Sequence, residues 1–207
     1  MPSRSRAARL ILLCMHPALL YLPGGRLSLA ELGSARLDGH VVEIGEGFMP
    51  ADTVEEADAR AAGVAVLIPA HMAACGATAA WIHGAGDGPP ALHHVRRMAP
   101  TRGRVTHSPR MVYHERRIDP DEVQRIAGVA VTTPLATAAE LVYSAALRGT
   151  GQSWLHALIR VRPGLMDELC ERLERTPRRP GRRRALGILT ALAAQTGAHD
   201  GQEEVTR

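Results

Sequence analysis

The sequence predicts a mixed α/β chain, α/β (α+β) in class, with short strands and a helical C-terminal tail. Three observations predict it. Residues 111–146 pass from the apolar run Met111-Val112-Tyr113-His114, through Asp119-Pro120, to a second run, Gly128-Val129-Ala130-Val131, and straight into a helix start. Residues 28–49 set one capped helical stretch before two β-type runs. Beyond Gly149 the apolar residues recur at helical spacing.

A chain of 207 residues with 45% hydrophobic content can bury one large or two small cores. Aromatic residues make up only 3%, so Ala, Leu and Val must fill those cores. The sequence has no run of about 20 apolar residues, the length a membrane-spanning helix needs. Cys14, Cys75 and Cys170 lie far apart without a C-x-x-C pair, which argues against a disulfide framework or a thiolate zinc site and for a reducing cytoplasm. The formal net charge is +4, and all 25 basic residues are Arg. A GC-rich genome explains that uniformity more simply than nucleic-acid binding does, so the positions of the arginines carry more information than their number.

Taken in order, residues 1–22 open with Arg4, Arg6 and Arg9 and continue into Leu10-Ile11-Leu12-Leu13-Cys14-Met15. A signal peptide and an amphipathic first helix both fit this stretch. His16-Pro17 interrupts the apolar run and no A-x-A site follows, which favours the helix, and Pro17 ends it. Ser28-Leu29-Ala30-Glu31 matches the S-x-x-E capping box, in which serine and glutamate each satisfy a backbone amide of the first turn. Leu29, Leu32, Ala35 and Leu37 are expected on the inner face, and Gly39 ends the helix. Val41, Val42 and Ile44, the turn Gly45-Glu46-Gly47 and Phe48-Met49 then read as a two-stranded ribbon. A helix followed by such a ribbon is the pattern of a winged helix-turn-helix.

Thr53–Ala62 is polar enough for a helix or a linker, and Val64–Ile68 reads as a buried helix end or a strand. Gly84–Pro90 is a loop: a G-x-G is present, but no strand leads into it, no helix follows and no P-loop Lys exists. Leu92–Val95 and Val105–His107 are strand candidates, with Arg96, Arg97, Arg102 and Arg104 around them. Thr132 or Thr133 can cap the next helix, with Pro134 in its first turn. Leu135, Ala138, Ala139, Val142, Ala145 and Ala146 give that helix a continuous apolar stripe. Two further helices start near Trp154 and Leu165, the second with leucines at 165, 169 and 173, and a last helix follows Arg182-Arg183-Arg184.

The run GVAVTTPLATAAEL at 128–141 resembles the G-hydrophobic-x-V-T-(S/T)-P-x-x-T-x-x-D-L segment of AbiEi-type antitoxins, the transcriptional-regulator half of bacterial type IV toxin–antitoxin pairs. Residues 68–84 are similar to the same family's alanine-rich stretch ending in A-x-x-H/W-G. Gly45–Pro50 looks like its wing, and the R-P-G-R-R-R run at 179–184 resembles the start of a terminal helix in actinobacterial members. The main likeness spans residues 26–146. Ala136 stands where the family often has Arg, and Glu140 where it usually has Asp.

The resemblance implies a winged helix-turn-helix-like domain at residues 1–52 and an AbiEi-antitoxin-like α/β domain with a helical tail at 61–207. It implies a transcriptional regulator that binds its own promoter as double-stranded DNA, with a cognate nucleotidyltransferase-like toxin as partner. Residues 1–60 hold six arginines against eight carboxylates, so phosphate contacts must also come from elsewhere. Candidate DNA contacts are Arg26, Ser28, Ser34 and Arg36 on or beside the helix, Arg4, Arg6 and Arg9 in the N-terminal arm, and Arg182, Arg183 and Arg184 at the start of the last helix. A protein-binding antitoxin with little DNA affinity, or a purely structural domain, is the alternative.

Nothing in the sequence predicts catalysis, a cofactor or a metal. No G-x-S-x-G elbow occurs, and the acids Asp119 and Asp121 have no Lys with which to complete a nuclease motif. Gly33-Ser34 has only Asp38 behind it, unlike the toxin's nucleotidyltransferase pattern. His93, His94, His107 and His114 could meet on a sheet, but none has the spacing of helical zinc ligands.

Overall fold

The computed structural model describes residues 20–98, 108–176 and 179–203, and the side chains of the last helix as far as residue 195. The chain is mixed α/β, with seven α-helices and two sheets among the described residues. The first helix, α1 (Leu29–Leu37), is held at its start as the sequence requires. Ser28 Oγ accepts from the Glu31 amide at 3.3 Å, and Glu31 Oε2 accepts from the Ser28 amide at 2.8 Å. The inner face is narrower than its leucines suggest. Leu32 is buried against Val41 and Phe48, whereas Leu29 and Leu37 are 64% and 83% exposed. In a helix of nine residues those two positions fall on the flanks, and among the described residues the small cluster has no second layer to cover them.

Strands β1 (Val41–Ile44) and β2 (Gly47–Pro50) pair antiparallel around Gly45-Glu46, and Tyr21 adds a bridge to Phe48. The next helix, α2 (Ala57–Val64), continues into the 3₁₀ turn Ala65–Leu67. Of the 64–68 run, Val64 and Ile68 are buried and Val66 faces out. The tip of the β1–β2 hairpin rests directly on α2. The Glu46 amide donates to the Gly63 carbonyl at 2.7 Å, and a Cβ on Gly63 would lie 2.4 Å from the Ile44 carbonyl oxygen. Only a residue without a side chain permits that approach. Ile44 and Met49 thereby enter the same apolar cluster as Ala61, Val64 and Trp81, and the ion pair between Arg110 Nη2 and Glu46 Oε1, at 2.5 Å, ties the hairpin tip to the residue before Met111.

The main sheet has the order β5-β4-β3-β7-β6, with β3 (Met72–Ala74) at its centre. Strands β4 (His93–Arg97) and β7 (Val129–Thr132) flank it, antiparallel and parallel respectively. Strand β5 (Met111–His114) runs parallel to β4, and β6 (Val123–Ile126) pairs antiparallel with β7. The three residues of β3 show why a strand forms within an alanine-rich stretch. Met72 and Ala74 point into one cluster with Val95 and Val131, while Ala73 points to the other face against Ala130 and Ile118. The 105–107 strand candidate lies outside the described residues.

The turn between β6 and β7 consists of Ala127 and Gly128, both at positive φ (46° and 83°). A two-residue hairpin loop with both residues at positive φ is the type I′ geometry that suits the twist of its strands. Helix α3 (Gly76–Ile82) is wholly buried. Helix α4 (Pro134–Arg148) starts at Thr133, whose Oγ1 accepts from the Ala136 amide at 3.3 Å. Around α4 pack α5 (Gln152–Val161), α6 (Leu165–Arg175) and α7 (Arg182–Glu203). Leu165, Leu169 and Leu173 of α6 meet Leu189 and Leu192 of α7 and Val142 of α4 in one cluster. No helix among the described residues is long and apolar enough to cross a membrane.

Candidate functional site

Two surfaces hold the predicted contact residues. On the first, Arg26, Ser34 and Arg36 are exposed on or beside α1. Arg36 Nε lies 3.3 Å from Glu43 on β1, an exposed pair that binds weakly and can open. Ser28 is committed to its own helix, since its hydroxyl both caps the Glu31 amide and donates to the Glu31 carboxylate at 2.8 Å. The Ser28 amide, and then its hydroxyl, donate to the Glu31 carboxyl and hold it below its usual range. Arg4, Arg6 and Arg9 lie outside the described residues.

The second surface is the start of α7. Arg182 Nε donates to the Leu173 carbonyl at 2.7 Å and so closes the C-terminal end of α6. Arg183 and Arg184 remain exposed. With Arg179, Gly181 and Leu147 the three arginines line a shallow recess of about 560 Å³.

A third feature was not anticipated: a cleft of about 1480 Å³ between the β4–β5 edge of the sheet, the start of α3 and the outer face of α4. Its floor is the pair Arg96 Nη1–Glu140 Oε1 at 2.5 Å, and Glu140 Oε2 also accepts from the Gly76 amide at 3.0 Å. Burial pushes the Glu140 carboxyl up, and Arg96 pulls it back. The extra methylene of Glu over the family's usual Asp therefore lies in an internal contact between α4, β4 and α3.

On one wall His94 Nδ1 and His114 Nε2 are 3.0 Å apart with the rings stacked. The register explains the meeting. Arg96 is opposite His114, so His94 is its diagonal neighbour on the same face. Burial, then His94, Arg96 and Arg148, press the His114 pKa down to about 4. His93 points to the other face and is buried, and His107 is outside the described residues. Among the described residues no three His, Cys, Asp or Glu side chains gather as a metal site. Cys75 is buried, which pushes its thiol well up and away from the reactive thiolate. On the other wall the Arg179 guanidinium lies 3.6 Å from the centre of the Tyr143 ring. Arg116 and Arg148 complete the rim.

The residues that meet in this cleft come from positions as far apart as Gly76 and Pro180 and from several elements and loops, so no local motif announces them. Strand alternation in β4 is the one available signal, since it puts His93 and His94 on opposite faces and so lets only one of them meet His114.

A search of curated proteins finds no match to the chain. The family model described as "AbiEi antitoxin C-terminal domain" matches residues 72–184, which run from β3 through the sheet and the helices to the start of α7. On that match, over more than half its length, the chain belongs to the AbiEi antitoxin family.

Proposed function

We propose that this antitoxin-family chain is a cytoplasmic transcriptional regulator of a type IV toxin–antitoxin system, which binds its own promoter and represses its operon. The observation that carries this is the capped helix α1 set directly before the β1–β2 hairpin, with Ser34 and Arg36 exposed on it and Arg26 exposed just before its start. A winged helix-turn-helix at residues 1–52 uses such a helix in the major groove and the ribbon beside it on the backbone. The antitoxin-like domain, from about residue 61, engages a nucleotidyltransferase-like toxin. The chain has no catalytic role in this proposal.

Arg36 is the candidate nearest the base edges, and Arg183 and Arg184 contact phosphate only. Arg36→Ala is expected to weaken promoter binding by about 1–3 kcal/mol and to leave binding to a scrambled duplex nearly unchanged. Changing Arg183 and Arg184 to Ala should weaken both duplexes alike and lower the log–log salt slope by roughly 2. Fluorescence anisotropy across a salt series measures both effects.

A second reading, an antitoxin that acts only on its protein partner, is favoured by the Arg36–Glu43 pair and the surplus of carboxylates in residues 1–60. Equal, weak binding to both duplexes that is indifferent to Arg36→Ala would select it.

A further inference from the structure

Several arginines of this chain are paired with a carboxylate: Arg36 with Glu43, Arg60 with Glu55, Arg110 with Glu46, Arg172 with Glu122 and Arg175 with Glu171. The cleft gathers arginines without such a partner. Arg116, Arg148 and Arg179 all line it, and none has an ion pair among the described residues. Its two carboxylates do not balance them, since Glu140 is taken up by Arg96 and Gly76, which leaves Glu115 alone against three arginines. Three guanidiniums facing one concavity repel one another unless an anion joins them.

The cations are distributed along the cleft. Arg148 acts on the stacked His94 and His114 rings at one end, and Arg179, over Tyr143, feels Arg116 most strongly among its charged neighbours at the other. Tyr143 and Arg148 are both on α4, five residues or about 7.5 Å apart along its axis. Flat faces accompany the charges: a stacked imidazole pair, and the Trp154 ring in the lining.

We infer that this cleft binds the phosphate chain of a nucleotide or a single-stranded nucleic acid, with its phosphates on Arg116, Arg148 and Arg179 and a base against the neighbouring rings. Planar guanidinium forks suit phosphate oxygens, and a positive groove with interleaved aromatic faces is the arrangement that holds single strands. A duplex is disfavoured by shape, because its grooves receive a projecting element and this surface is concave. An acidic peptide would satisfy the charges and leave the rings unused. The inference is independent of promoter recognition through α1.

The test uses the full chain, three probes and one variant carrying both Arg116→Gln and Arg148→Gln. The probes are ATP, a dye-labelled ten-nucleotide RNA and a promoter duplex, with deca-glutamate as competitor. The RNA is expected to bind at low salt and to lose at least tenfold in affinity in the variant, with a salt slope lower by about 1.4, or 0.7 for each lost contact. The variant's promoter binding and thermal midpoint should remain unchanged. ATP displacing the RNA would identify a free nucleotide as sufficient. RNA binding without ATP binding would identify the strand backbone as the ligand. The inference is overturned if neither probe binds, if the variant binds as well as the parent, or if deca-glutamate displaces the RNA as effectively as unlabelled RNA does.

Discussion

Ala127 is the one non-glycine residue with positive φ among those described, and it occupies the first position of a type I′ turn. A left-handed conformation costs an L-residue about 1–2 kcal/mol, and asparagine tolerates it far better than alanine. Ala127→Asn is therefore expected to raise stability by about 0.5–1 kcal/mol, read as a higher urea midpoint at unchanged slope. At His114 the effect depends on pH. The unfolded side chain takes up a proton near pH 6.5, and the folded one, desolvated and beside His94, Arg96 and Arg148, only near 4. Between those values the unfolded chain holds more protons, so stability falls as the solution is acidified. His83, His93 and His94 are shifted the same way by burial, and Glu140, pushed up, opposes them. The urea midpoint should fall from pH 6.5 to 4, and His114→Gln should flatten that fall.

Among the elements, the start and type of α4 were legible, because a threonine cap, Pro134 and an apolar stripe are local signals, although its burial is wider than the stripe and takes in Ala136, Thr137, Leu141 and Tyr143. The β1–β2 hairpin was legible for the same reason. Strand β6 was not: Val123-Gln124-Arg125-Ile126 is half polar, and Ala-Gly lacks the Asn-Gly signature that marks a tight hairpin. Strand β3 was hidden in an alanine-rich stretch, since three small residues acquire their sheet role only through β4 and β7. The docking of the hairpin on α2 was equally invisible, because Gly63 differs from any helical glycine only by the backbone that reaches it from Ile44. Gly63→Ala should cost about 1–3 kcal/mol through overpacking. It should also speed hydrogen exchange at the Glu46 amide, which bonds to the Gly63 carbonyl.

At the scale of the whole molecule, the family match covers the sheet and most of the helical layer and stops short of the hairpin. A chain beginning at Ala61 retains β3 to β7 and the α4–α7 cluster and is expected to melt cooperatively by circular dichroism. It loses Ile44 and Met49 from their shared cluster, so its midpoint should lie below that of the full chain. Aggregation, or a melt without a transition, would mean that the N-terminal part belongs to the same folding unit. The cleft illustrates what sequence order conceals at this scale. Arg116, Arg148 and Arg179 are unremarkable among 25 arginines until the fold turns them toward one space.

The meeting of hairpin and α2 also limits what substitution can alter. Where side chains mediate a joint, exchanging one for another can tilt the parts by degrees. Here main chain lies on main chain at Gly45, Glu46 and Gly63, and the side chains of Ile44, Met49 and Val64 pack around that contact rather than within it. The angle between the hairpin and the helix is thus a property of the backbone itself: sequence drift around the joint can loosen or break it, but has little purchase for re-aiming it.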